Sequence, residues 1–138
     1  MNNPVATLQL CFGHNCLIFK ILYAPSIPRT LTSFLANPDV HFVGVGIEDD
    51  ANKLQRDYNL RVANPVDLHP LAAEEYEDFG LHMAGLAALG HFIMDLEVDK
   101  PHHITMSDWD NRFLTHDQVQ YAAIDAFVSN EIGRDLLW

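Results

Sequence analysis

The sequence predicts a mixed α/β domain on three observations. Two apolar, β-prone runs at the N-terminus read as a hairpin, the glycine-containing apolar run at residues 41–47 reads as a strand buried on both faces, and an amphipathic helix closes the chain. With 138 residues and 49% hydrophobic content, the chain is long enough for one core and short for two, so residues 1–138 are expected to form a single domain.

The hairpin is expected over residues 5–11 and 16–22, joined by Phe12-Gly13-His14-Asn15, where Gly and Asn favour a tight turn. Leu31, Phe34 and Leu35 stand at helical spacing before Asn37-Pro38, which predicts a short helix over 29–35. The run at 41–47 passes directly into Glu48, Asp49 and Asp50, and Leu54 with Tyr58 at i, i+4 predicts a helix over 51–58. A carboxylate therefore falls at a strand-to-helix junction, where open α/β sheets tend to build their sites.

Asn64-Pro65 breaks the chain before a short strand at 66–68, and residues 71–79 read as an acidic helix or an irregular segment. Leu86, Leu89 and Ile93 predict a helix over 85–94, weakened by Gly90, and a loop is expected from Lys100 through Trp109. The last helix is the clearest element. Thr115 and Gln118 form a capping box, and Val119, Ala122, Ala123, Ala126 and Phe127 repeat at i, i+3, i+4, i+7, i+8.

A formal charge of -11, from 19 Asp+Glu against 8 Lys+Arg, argues against a surface that grips phosphate backbones through many cations. Nucleic-acid contact is expected to be weak, local or metal-assisted. Lys53, Arg56 and Arg61 form a small basic group that either touches phosphate or pairs with Asp57.

Cys11 and Cys16 are the only cysteines and no charged-then-apolar leader precedes them. Two buried thiols in a reducing compartment are expected, with a bridge across the turn left open. The apolar stretch around 82–96 contains Gly85, Gly90 and Asp95 and falls short of the roughly 20 residues of a membrane span. A soluble, intracellular protein, nuclear or cytoplasmic, is the expectation. His102-His103 has no Cys or His partner at zinc-like spacing and is expected to be exposed in a loop.

Tyr121 and Asp125 are four residues apart on the last helix, so they share a face roughly opposite the apolar stripe. Together with Ser107-Asp108-Trp109, Arg112, Leu114, Thr115, Gln118, Ala122, Ala123 and Ala126, they resemble the third motif of the tyrosine-containing DEDD family of 3'-5' exonucleases. Val45-Gly46-Ile47-Glu48-Asp49-Asp50, followed by Lys53-Leu54 and Arg56-Asp57, resembles that family's second motif in its Werner-syndrome-exonuclease branch. Residues 5–11 are similar to its second strand, so the resemblance runs from about Val5 to Leu137.

The resemblance implies an RNase H-like mixed sheet flanked by helices, and two divalent ions, Mg2+ or Mn2+, that cut the terminal phosphodiester. Asp50 and Asp125 would be metal ligands, and Tyr121 would position the attacking water. The family's other two acids lie in an Asp-x-Glu motif on the first, central strand. Here Met1-Asn2-Asn3-Pro4 leads into the second strand without an acid.

The expectation is thus a truncated domain lacking that central strand, with metal binding weak or lost. Glu48 is a further candidate ligand if its strand continues far enough to share a face with Asp50. Asp49 stands where the family usually has glycine, and its charge should raise the pKa of a neighbouring carboxylate. An empty central slot would leave backbone groups unpaired, so either the hairpin closes onto residues 42–47 or a second chain, as a homo-oligomer or another protein, covers the exposed edge. The functional expectation is little or no nuclease activity, with action through protein association or weak nucleic-acid binding. The alternative is an active exonuclease on DNA or RNA with a rebuilt metal site.

Overall fold

The computed structural model describes residues 4–97 and 102–137. The hairpin forms from β1 (Leu8–Phe12) and β2 (Asn15–Phe19), antiparallel, with Phe12 facing Asn15 across the turn. Only Gly13-His14 lie outside the ladder. Gly13 takes φ 61° while His14 does not enter the left-handed region, the two-residue turn with glycine first that suits strand twist. The chain then tightens into a 3-10 turn at Ile21–Tyr23, which ends the second strand earlier than its apolar content suggests.

Helix α1 (Arg29–Leu35) follows, as its spacing predicts. The run at 41–47 is strand only over β3 (Phe42–Gly44). Gly46 turns left-handed at φ 70°, and α2 (Ile47–Tyr58) starts there, so Glu48, Asp49 and Asp50 occupy the first turn of a helix rather than the end of a strand. Three carboxylates at a helix N-terminus are favoured by the exposed amide dipoles.

β4 (Pro65–Asp67) pairs parallel with β3 and runs without a loop into α3 (Leu68–Glu75), so the acidic segment is helical but starts earlier than the periodicity indicates. α4 (Leu86–Met94) matches its predicted helix. Where a loop was expected after residue 100, a four-residue helix, α5 (His102–Thr105), forms; His103 is exposed, and residues 98–101 lie outside the described part. α6 (His116–Leu137) closes the chain.

The two strand pairs form separate sheets, β1-β2 and β3-β4. Direct closure of the hairpin onto β3 is therefore not what this chain adopts. Helix α6 lies against β1, β2 and β3 and spans both sheets. It also packs on α3 and α4, where Leu68, Ala72, Leu86, Leu89, Val128 and Ile132 form one buried cluster. Ile21, Leu35, Phe42, Leu54 and Leu60 form the other.

Strand β3 serves both clusters by its alternation, with Phe42 in one and Val43 packed against the other. It comes close to α6 at Gly133, where a Cβ would stand 2.7 Å from Val43 Cγ2. Helix and strand can meet this closely only because residue 133 has no side chain.

The helix stripe differs from the predicted one. Gln118, Ala122, Val128, Ile132 and Gly133 are buried, whereas Val119 is 40% exposed. A 22-residue helix that crosses two sheets rotates its buried face along its length, and the five positions at its start do not define it. Both cysteines are free and half-buried, and face each other across the hairpin. Burial and the neighbouring Cys16 push the Cys11 thiol up to about 12, so it stays protonated and unreactive at neutral pH.

Candidate functional site

Asp50 sits in the first turn of α2, beside the left-handed Gly46. Its side chain reaches solvent, yet its carboxyl is held above the ordinary value of 3.8. Partial burial is the main cause, Lys53 opposes it, and Asp49, Asp67 and Asp125 add repulsion. The structure thus brings Asp50 and Asp125, 75 positions apart in sequence, into one electrostatic neighbourhood. Asp49 raises its neighbour as its charge predicts.

Asp67 was not singled out by the sequence reasoning, and it belongs to this group. Its carboxylate accepts the Gly46 N–H at 3.2 Å and the His69 N–H at 3.4 Å, capping α3, and lies 3.1 Å from His69 Nε2. It ties the end of β4 to the turn that launches α2. A signal was present, since an acid ending one strand and opening one helix has the same junction signature as Asp50.

Glu48 goes elsewhere. On a helix, residues two apart diverge by about 200°, and Glu48 lines a shallow cleft with Ala51, Gln55 and Arg61. The continued strand that would have put it beside Asp50 does not form. Of the basic group, Arg56 is paired with Asp57 at 2.7 Å, Lys53 is near Asp50, and Arg61 lies on the rim of the Glu48 cleft.

Tyr121 is half-buried one turn before Asp125 on α6. Thr105 Oγ1 donates to its hydroxyl at 3.4 Å, and the Trp109 ring lies 6.0 Å away, itself held by Nε1 donating to the Thr105 carbonyl. The capping box forms in both directions, with Thr115 N–H donating to Gln118 Oε1 at 2.9 Å and Gln118 N–H to Thr115 Oγ1 at 3.1 Å. Gln118 Nε2 also donates to Ser107 Oγ and to the Asp108 carbonyl, so this buried amide locks the preceding loop onto the helix. Most of the motif around Tyr121 and Asp125 is therefore scaffold.

Among the described residues, no three His, Cys, Asp or Glu side chains lie close enough to hold a metal ion. The chain's one Asp-x-Glu spacing, Asp95-Leu96-Glu97, lies at the exposed end of α4, with Asp95 as its left-handed cap. As placed, these residues do not make the carboxylate cage that two hard cations need.

The pKa of Asp50 has a sign that can be tested. A raised folded-state value means that ionised Asp50 opposes folding at neutral pH, and that this penalty disappears as pH falls through the folded pKa toward 3.8. Asp50→Asn is expected to raise Tm near pH 7 by about 1 to 2 °C, kept small by solvent screening, and to leave it unchanged near pH 3. Paired thermal melts check this; an equal gain at both pH values would sink the explanation.

A split α/β scaffold with a long closing helix that brings an aspartate near a helix-start aspartate is the arrangement of an RNase H-like nuclease-type domain. The comparisons make the assignment specific: residues 1–137 match the 3'-5' exonuclease family model, and the chain belongs to that family. It is 40% identical to mouse exonuclease 3'-5' domain-containing protein 2 over 140 residues, which covers 98% of this chain and 22% of that relative. It is 34% identical over 124 residues to the mouse bifunctional 3'-5' exonuclease/ATP-dependent helicase WRN, covering 89% of this chain and 9% of that protein.

Among solved structures, the EXD2 exonuclease domain soaked in Mn and GMP superposes with a TM-score of 0.52 at 32% identity, covering 99% of this chain and 71% of that one. A crystal of the same domain soaked in Mn and Mg gives 0.50 at 31% identity, covering 94% and 67%. The chain thus spans about a fifth of the length of its first curated relative and about two thirds of the solved domain. Among the described residues, no helix is long and apolar enough to cross a membrane.

Proposed function

We propose that this 138-residue chain has little or no nuclease activity by itself and acts through protein association or weak nucleic-acid binding. The observation that carries this reading is the acid arrangement. Asp67 and Asp125 each repel the Asp50 carboxylate, while no triad of ligand groups among the described residues falls in metal-holding range. Asp50 and Asp125 remain the proposed metal ligands and Tyr121 the proposed water-positioning group. A divalent ion held by so few carboxylates would be held weakly.

The strand edges support the association half of the reading. The hairpin register makes Leu8, Leu10 and Phe12 the hydrogen-bonded positions, so the backbone groups of Gln9 and Cys11 point away from β2. In the other sheet the Phe42 N–H donates to the Asn64 carbonyl, so the backbone of Val43 points away from β4. Each sheet thereby offers an edge to which a strand from a second copy or another protein could add. Light scattering at micromolar concentration tests this, with a strict monomer counting against self-association.

The activity test is incubation of the purified chain with labelled single-stranded DNA, recessed-end DNA and RNA in manganese. The expected result is no release of 3' nucleotides above an Asp125→Asn control. The competing reading, an active exonuclease with a rebuilt site, is favoured by the arrival of Asp67 beside Asp50. Release that disappears in Asp125→Asn would establish it and overturn ours.

A further inference from the structure

A separate cleft lies beside the first turn of α6. Where β2 ends, Ile18 and Lys20 face Arg112, Phe113, Leu114 and Val119 across a cleft of about 300 Å³. Lys20 Nζ is buried there without a hydrogen-bond partner. It lies 5.1 Å from the Tyr23 ring centre and 5.7 Å from that of Phe113, and the Arg112 guanidinium is 6.0 Å from the same Tyr23 ring.

Two cations thus share one aromatic wall, and among the described residues neither forms an ion pair with a carboxylate. In a chain of net charge -11, such a pair without a counter-ion is unexpected. A buried ammonium without an acceptor is costly, and ring faces replace only part of its lost hydration.

The cleft is built rather than accidental. The Tyr23 hydroxyl donates to the Asp110 carbonyl, 87 positions away, which fastens the turn after β2 to the loop carrying Arg112 and Phe113. Gln118 anchors the start of the same loop from α6. Over this fixed base Phe113 is 82% exposed, a ring that covers a buried cation and is itself left open among the described residues.

We infer that this cleft binds a nucleotide of a single-stranded polynucleotide, with the base stacked on Phe113, the adjoining phosphate paired with the exposed Arg112, and the buried Lys20 ammonium adding its field from beneath the ring. A flat π-face beside an anion meets every feature of the cleft, whereas an acidic peptide would use the charges and leave the ring bare. The inference deepens the nucleic-acid half of the proposed function and needs no metal. It also reconciles the acidic chain with nucleic-acid contact, because one phosphate is a local contact rather than a basic surface.

The test is fluorescence anisotropy of labelled twelve-residue oligothymidylate, oligouridylate and an abasic oligomer of equal length, with the full chain in EDTA. Chelation keeps failure here separate from failure of the nuclease-site reading. Binding of the base-bearing probes with a log–log salt slope of about -0.7 is expected for one phosphate. Phe113→Ala should weaken the base-bearing probes about tenfold and leave the abasic probe unchanged. Arg112→Gln should weaken all probes and bring the slope toward zero. Both residues are exposed, so unchanged melting curves will accompany these variants if the effects are local. Absence of binding by the wild type, equal binding of abasic and base-bearing probes, wild-type behaviour of either variant, or displacement by hexaglutamate as readily as by free oligothymidylate would each overturn the inference.

Discussion

Gly133→Val is expected to lower Tm by about 10 °C, a loss of about 3 kcal/mol at the upper end of the overpacking range. The first added carbon would stand 2.7 Å from Val43 Cγ2 and 3.2 Å from both Val43 Cβ and Cγ1. Val43 is β-branched and held in β3, so it has little rotamer freedom with which to retreat. α6 must therefore lift from the strand, and Val128 and Ile132 leave the cluster they share with Leu68 and Leu89. Val43→Ala alone should cost about 1 to 2 kcal/mol, yet in the Gly133→Val background it should recover part of the loss. Additive costs in that double-mutant cycle would show that the close approach is not the cause.

Asp67→Ala is expected to cost about 2 to 3 kcal/mol, the sum of a lost helix cap and a lost acceptor for a half-buried amide. The Gly46 and His69 N–H groups both depend on this carboxylate. Asp67→Asn keeps an acceptor oxygen at the same place and should cost less than about 1 kcal/mol. The two variants act alike on Asp50, because each removes a repelling charge and moves that carboxyl back toward 3.8. Denaturant melts give the first comparison, and carboxyl titration by NMR gives the second. Equal destabilisation by Ala and Asn would show that charge, rather than the hydrogen bonds, is what Asp67 contributes.

How much of this was legible in sequence depends on the range of the forces involved. The hairpin, α1, α4 and the capping box at Thr115 are set by contacts within a few residues, and each forms close to its expected position. The run at 41–47 was misread in its second half because apolar content does not distinguish a strand from a strand followed by a left-handed glycine. Once Gly46 turns at φ 70°, the helix starts early and Glu48 is carried away from Asp50. The residue type was right and the local period was wrong.

The sequence by itself determined the family, because motif residues and their spacings are properties of the chain, and it is the source of the proposal that Asp50, Tyr121 and Asp125 form the site. Only the tertiary structure decided which charges meet. Asp67 reaches Asp50 because β4 pairs with β3, and Asp125 reaches it because α6 is seated on β3 at Gly133. Repulsion between carboxylates depends on distance through space, and those distances are set by packing between segments that lie 23 (Phe42 and Pro65) to 90 (Val43 and Gly133) positions apart.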